Sequence, residues 1–163
     1  MAARGIKKFF VTGLTELRKS TGEAVDDLGD IRFENGKIYK YVDYNEATIS
    51  ATAGDVVVYK SSTGYAANMV TGDYSEGGVK AIGAGVIGTA ISTSERRYTW
   101  IQIKGRFTVN VTLGGTATDG SPLTVIGAAD KALNLIGATA ATENQSGIAE
   151  DASAKVCIAD FPF

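Results

Sequence analysis

An all-β chain is predicted: a small β-barrel or sandwich of short antiparallel strands with an extended N-terminal arm. Three observations carry this. Apolar and polar residues alternate with a period of two in several short runs, a pattern no helix can hide on one side. Glycine supplies 20 of 163 residues, about 12% against a usual 7% or so. Many of these glycines fall between the runs, as turns require. An Asn-Gly pair also sits between two alternating stretches, the strongest short-range signal for a β-hairpin.

Residues 1–28 read as an arm and loop, and residues 29–163 as the barrel domain. The arm is basic and aromatic, with Arg4, Ile6, Lys7, Lys8, Phe9 and Phe10. Leu14 and Leu17 fit one turn of a short helix. A first strand plus a connector is the alternative reading. Residues 20–30 are polar and acidic. Asp26, Asp27 and Asp30 offer carboxylates for a hard cation but lack the spacing and terminal Glu of an EF-hand, so a solvated acidic loop is expected.

The hairpin follows. Asn35-Gly36 suits a two-residue turn with φ > 0 at both positions. Glu34 and Lys37 face each other with opposite charge, Ile31 and Phe33 precede the turn, and Ile38, Tyr39 and Tyr41 follow it. Val56, Val57, Val58 and Tyr59 form a buried strand, and residues 64–80 read as loop. Residues 97–113 read as a strand pair. Thr99, Ile101 and Ile103 share one face and Tyr98, Trp100 and Gln102 the other. Lys104-Gly105-Arg106 is the tight connection, and Phe107, Val109, Val111 and Leu113 then alternate with polar residues. Shorter strands are expected at 122–126, 132–136, 147–150 and 155–160.

A weak internal repeat runs through this pattern. Gly54-Asp-Val-Val-Val-Tyr resembles Gly120-Ser-Pro-Leu-Thr-Val. Gly85-Val-Ile-Gly-Thr-Ala resembles Gly147-Ile-Ala-Glu-Asp-Ala, and Trp100-Ile-Gln-Ile resembles Val156-Cys-Ile-Ala. Two copies are too few for a solenoid, so the repeat points to a pseudo-symmetric barrel. With this many Ala, Gly and Val positions, chance similarity is the competing explanation.

Composition excludes several chemistries. With no histidine there is no imidazole general base and no histidine triad. The single cysteine, Cys157, forms no internal disulfide and is expected as a buried inert thiol. A net charge of −2 gives no global basic field for nucleic acid. The longest apolar stretch, 81–91, is too short to span a bilayer. Glu16 and Arg18 end the early apolar run too soon for a secretory signal, so synthesis in a cytoplasm is expected. The stretch Gly83-Ala-Gly85-Val-Ile-Gly88 matches a dinucleotide fingerprint letter by letter. It lacks a following helix and a downstream acid, and reads as a closely packed Gly-rich strand. No pair of carboxylates lies on a shared face, so no enzyme, cofactor or metal site is expected.

The chain ends carry the contact-prone side chains: Arg4, Ile6, Lys7, Lys8, Phe9 and Phe10 at the start, Phe161 and Phe163 at the finish. Aromatics and Arg favour the cores of contact patches, and exposed they would be a liability.

The order Gly54-Asp-Val-Val-Val, Gly85-Val-Ile-Gly-Thr-Ala, Tyr98-Thr-Trp-Ile-Gln-Ile-Lys-Gly, Asp119-Gly-Ser-Pro-Leu, Ser146-Gly-Ile-Ala and a closing strand ending Phe161-Pro-Phe163 resembles a family. It is similar to the small β-barrel proteins that decorate the heads of tailed bacteriophages, over roughly residues 50–163. The resemblance implies a capsid decoration, or cement, protein on the outer surface of the virion. Its partner would be the major capsid protein, it would assemble as a homotrimer, and no membrane or nucleic acid would be involved. The chain ends would then supply the capsid and inter-subunit contacts. Two other readings stand beside it: a tail or fibre-base virion subunit, and a carbohydrate-binding module using Tyr98 and Trp100 as a stacking platform.

Overall fold

The structure, a computed structural model, describes residues 9–19, 24–46, 48–77, 82–92, 96–111, 113–126, 128–136 and 145–162. The elements are β1 (Arg18–Lys19), β2 (Ile31–Glu34), β3 (Lys37–Tyr44), β4 (Val56–Tyr59), α1 (Ser61–Ala67), β5 (Met69–Thr71), a 3-10 turn at Tyr74–Gly77, β6 (Gly83–Ile87), β7 (Arg97–Thr108), β8 (Pro122–Thr124), β9 (Asn134–Leu135), β10 (Gly147–Asp151) and β11 (Val156–Asp160). The strands run in the order β2-β3-β5-β4-β6-β7-β11-β10-β8-β9, with β1 added to β7. A further pairing of β3 with β7 closes β3, β5, β4, β6 and β7 into a small barrel.

The predicted hairpin is present. Asn35 and Gly36 have φ of 51° and 74°, and Glu34 sits opposite Lys37. The Val-rich run is β4, buried at every position because both of its faces are covered. The Gly83–Ile87 stretch is strand β6, not a phosphate cradle. A Cβ on Gly85 would stand 2.8 Å from the Gln102 carbonyl oxygen, and one on Gly83 would stand 2.9 Å from the Phe161 ring. These glycines let neighbouring chain approach.

Three expectations need correction. Residues 97–108 form one strand, not two: Lys104-Gly105-Arg106 continues β7 because β11 pairs with Lys104 to Thr108 just where β3 ends. Gly105, at φ 95°, makes a kink that the Gln102 side chain staples by donating to the carbonyls of Lys104 (3.1 Å) and Arg106 (3.0 Å). The stretch read as loop holds α1, β5 and the 3-10 turn. Tyr65 of α1 packs edge-on against Tyr59 at 4.9 Å, and Asn68 ends the helix in the left-handed region at φ 54°. Third, β3 and β5 pair in parallel, so the sheet is not purely antiparallel.

The weak repeat becomes a structural duplication. β4, β5, β6 and β7 have counterparts in β8, β9, β10 and β11, and the strand order reads β5-β4-β6-β7 and then, reversed, β11-β10-β8-β9. The hydrogen bonds repeat too. Gly54 donates to Ile87 (2.9 Å) as Gly120 does to Ala149 (2.8 Å). Ile87 donates to Asp55 (2.9 Å) as Ala149 does to Ser121 (2.9 Å). Asp55 donates to Thr52 (3.0 Å) as Ser121 does to Thr118 (3.0 Å). Chance similarity of small residues does not reproduce a register. One apolar cluster, from Val42, Val56 and Ile101 to Phe107, Leu123, Leu133 and Phe161, runs through both halves.

Candidate functional site

Trp100 and Tyr41 lie cross-strand on the face of β7 and β3 that points away from the main cluster. Residues 9–19 form a strap over this face. Side chains along it alternate: Phe10 and Thr12 point in, Phe9 and Val11 point out. Phe10 meets the Trp100 ring edge-on at 5.0 Å, and Tyr41 packs on Trp100 at 5.1 Å. Arg32 of β2 covers both rings, 5.7 Å from Phe10 and 5.9 Å from Trp100, and donates to the Thr12 carbonyl at 3.0 Å. The strap ends as β1, with Arg18 opposite Tyr98.

A polar chain latches the strap. The Trp100 indole donates to the Thr12 hydroxyl at 2.8 Å, and that hydroxyl donates to Asp26. The same carboxylate accepts from the backbone N–H groups of Val11 and Thr12, each at 3.0 Å. Asp26 is buried, so these bonds act in a low dielectric, where a charged acceptor is strong. The acid expected in a solvated loop is thus the strap's anchor. Leu14 and Leu17 do not start a helix. Glu16 donates its N–H to the Gly13 carbonyl and accepts from the Gly13 N–H, each at 3.0 Å, which closes a turn.

This geometry places the predicted contact residues unequally. Arg4, Ile6, Lys7, Lys8 and Phe163 lie outside the described residues. Phe9 is 84% exposed and Val11 65%, and Val25 is also exposed. Phe10 is half-buried on the barrel. Phe161 is fully buried, against Phe107 and under Gly83, and so belongs to the chain's own core. Trp100 is buried beneath the strap, so it cannot stack on a sugar ring, while Tyr98 is half-buried. Sequence reasoning missed Asp26 and Thr12. The only signal was the in-out alternation of residues 9–12, too short to separate from chance.

The other buried carboxylates are also engaged structurally. Asp55 accepts from the Thr52 N–H (2.8 Å) and the Asn110 amide (2.9 Å). Glu46 accepts from Thr48 and from the Thr71 hydroxyl, the latter at 2.8 Å. Asp43 pairs with Arg96 through Oδ2, while its Oδ1 is buried without a hydrogen-bond partner. Among the described residues no group of His, Cys, Asp and Glu is arranged to hold a metal ion. Cys157 is buried, and that burial pushes its thiol up to about 11, far from a reactive thiolate. A cavity of about 360 Å³ is lined by Tyr65, Ile82, Lys104, Ser146, Asp160 and Pro162 among others, and Lys104 and Asp160 of its lining form an ion pair.

No family model, curated protein or solved structure matches the chain.

Proposed function

We propose that this chain is a virion structural protein: a capsid decoration protein that binds the outer surface of a phage head and stabilises the shell by contact. The observation that carries the reading is the strap. Its inward residues are fixed to a closed barrel, while Phe9 and Val11 face outward at the point where the basic stretch with Arg4, Lys7 and Lys8 begins. A rigid platform that presents an apolar and basic segment suits binding to another protein surface. Repeated on a trimer, such contacts add through multivalency, and ligation of the assembled lattice alone shifts its stability by mass action. The engagement of Asp26, Asp55 and Glu46 in structural hydrogen bonds supports a role in contact rather than in chemistry.

The test is a deletion of residues 2–9, stopping short of Phe10 and Thr12 because both belong to the fold. In virions produced from the genome that encodes the chain, the truncated protein is expected to melt like the full chain and to leave the heads undecorated. Full occupancy by the truncated protein overturns the assignment of the contact. A gold-labelled full-length copy imaged on the tail overturns the location in favour of a tail or fibre-base subunit.

A further inference from the structure

Lys40 sits in β3 where a charge is least expected. It is 6% exposed, between Ile31 of β2 and Ile101 of β7 by register. Its Nζ donates to the Tyr59 hydroxyl at 3.0 Å and lies 5.3 Å from the Tyr59 ring and 5.7 Å from the Tyr65 ring. None of these partners is a carboxylate. Two aromatic faces and one hydroxyl return only part of what water supplies to an ammonium with three donors.

The charged groups on the surrounding elements are turned to other partners. On β2, Arg32 pairs with Glu34. On β3, Asp43 pairs with Arg96, and Lys37 faces Glu34 across the hairpin. On β7, Lys104 pairs with Asp160. Lys60, which follows β4, donates to the Asn45 carbonyl at 3.1 Å. Among the described side chains of β4 and α1, those that meet Lys40 are Tyr59 and Tyr65.

The duplicated half supplies a control. β3 pairs with β7 as β7 pairs with β11, and with Ile101 matched to Cys157 the counterpart of Lys40 is Phe107, a member of the apolar cluster. The position of Tyr59 in β4 corresponds to Val125, also in the cluster. The architecture therefore accepts apolar residues at this place, and the lysine and its two tyrosines are an addition confined to the first half.

We propose that Lys40 is a pH-responsive latch: its neutral amine fits the Tyr59–Tyr65 site, and its protonated form leaves for water past Tyr65, loosening α1 from β4. Burial lowers the lysine's affinity for its proton, which agrees with this direction. The sign follows from linkage. A lysine with a folded-state pKa below its unfolded value stabilises the fold increasingly as pH rises from the folded value toward 10.5, and that gain is absent below the folded value. Cys157, Tyr44, Tyr59 and Tyr74, all raised by burial, act oppositely: they cost stability once their unfolded forms ionise, above about pH 9. The latch is therefore read as pH rises from 7 to 10, by difference from a variant that keeps the same cysteine and tyrosines.

The experiment compares the full chain with Lys40→Met from pH 7 to pH 10, reading Tm and amide protection factors at residues 61–68. As pH rises the wild type is expected to gain Tm relative to K40M and to raise the protection of the α1 amides, once exchange is corrected for its base-catalysed intrinsic rate, and K40M to show no such rise. The same pH slope in both proteins, or α1 protection factors in the wild type that do not change with pH, overturns the proposal. Should K40M fail to fold, a 13C-edited titration of the Lys40 side chain in wild type decides. A midpoint below the ordinary lysine range sustains the latch, and one within that range refutes it.

Discussion

Gly54 and Gly120 occupy equivalent turns, with φ of 91° and 82°, yet their surroundings differ. A Cβ on Gly54 would stand 2.8 Å from the Thr108 carbonyl oxygen and 2.9 Å from the Asn110 nitrogen, both backbone atoms, whereas one on Gly120 meets nothing within 4 Å. Gly120→Ala should therefore cost only the left-handed backbone, about 1 kcal/mol. Gly54→Ala adds a collision that neither neighbour can relieve, and should cost about 3 kcal/mol or more. Urea titration of the two variants checks the ordering, and equal losses would show that the crowding at Gly54 relaxes. The repeated Gly-rich turns were legible in the sequence. Which glycine is crowded was not, because the crowding atoms come from residues far along the chain.

At the scale of elements, the strap hangs on one carboxylate. Asp26→Ala strands the buried N–H and hydroxyl of Thr12, each costing about 1–3 kcal/mol, and frees the part-buried Val11 N–H to water. Trp100, the only tryptophan, lies beneath the strap and reports on it directly. D26A is expected to shift Trp100 emission to the red and raise its quenching by acrylamide, while the far-UV signal of the barrel stays. Unchanged emission would show that Phe10 and Arg32 hold the strap without the latch. The hairpin around Asn35 and the strands β4, β10 and β11 could be read from local pattern, since turn chemistry and alternation are local. The strap could not: its hold on the barrel comes from Asp26, Arg32 and Trp100, which no short-range period links to residues 9–19. Gly105 misled for the same reason. A glycine between two alternating runs signals a turn unless a distant strand, here β11, pairs through it.

For the molecule as a whole, the duplication raises the question of whether each half is a folding unit. The first half closes on itself through β3 and β7. The second borrows: β11 pairs with the far end of β7, and β9 takes its parallel neighbour from the segment after β7, where Gly114 bridges to Asn134. Phe161 packs on Phe107 of β7 and beneath Gly83 of β6, inside a cluster that spans both halves. Removing residues 113–163 would uncover Phe107 and Ile103, and the removed piece would carry Leu123, Leu133, Cys157 and Phe161 without a surface to bury them. The core is thus shared although the strand pattern is repeated, and burial rather than symmetry sets the cooperative unit. The full chain is expected to melt in one calorimetric transition whose van't Hoff and calorimetric enthalpies agree. Residues 113–163 alone should give a collapsed amide spectrum, with dispersion returning on mixing with residues 1–112. Two separated transitions, or a dispersed spectrum from 113–163 by itself, would show that the repeat survives as an autonomous fold.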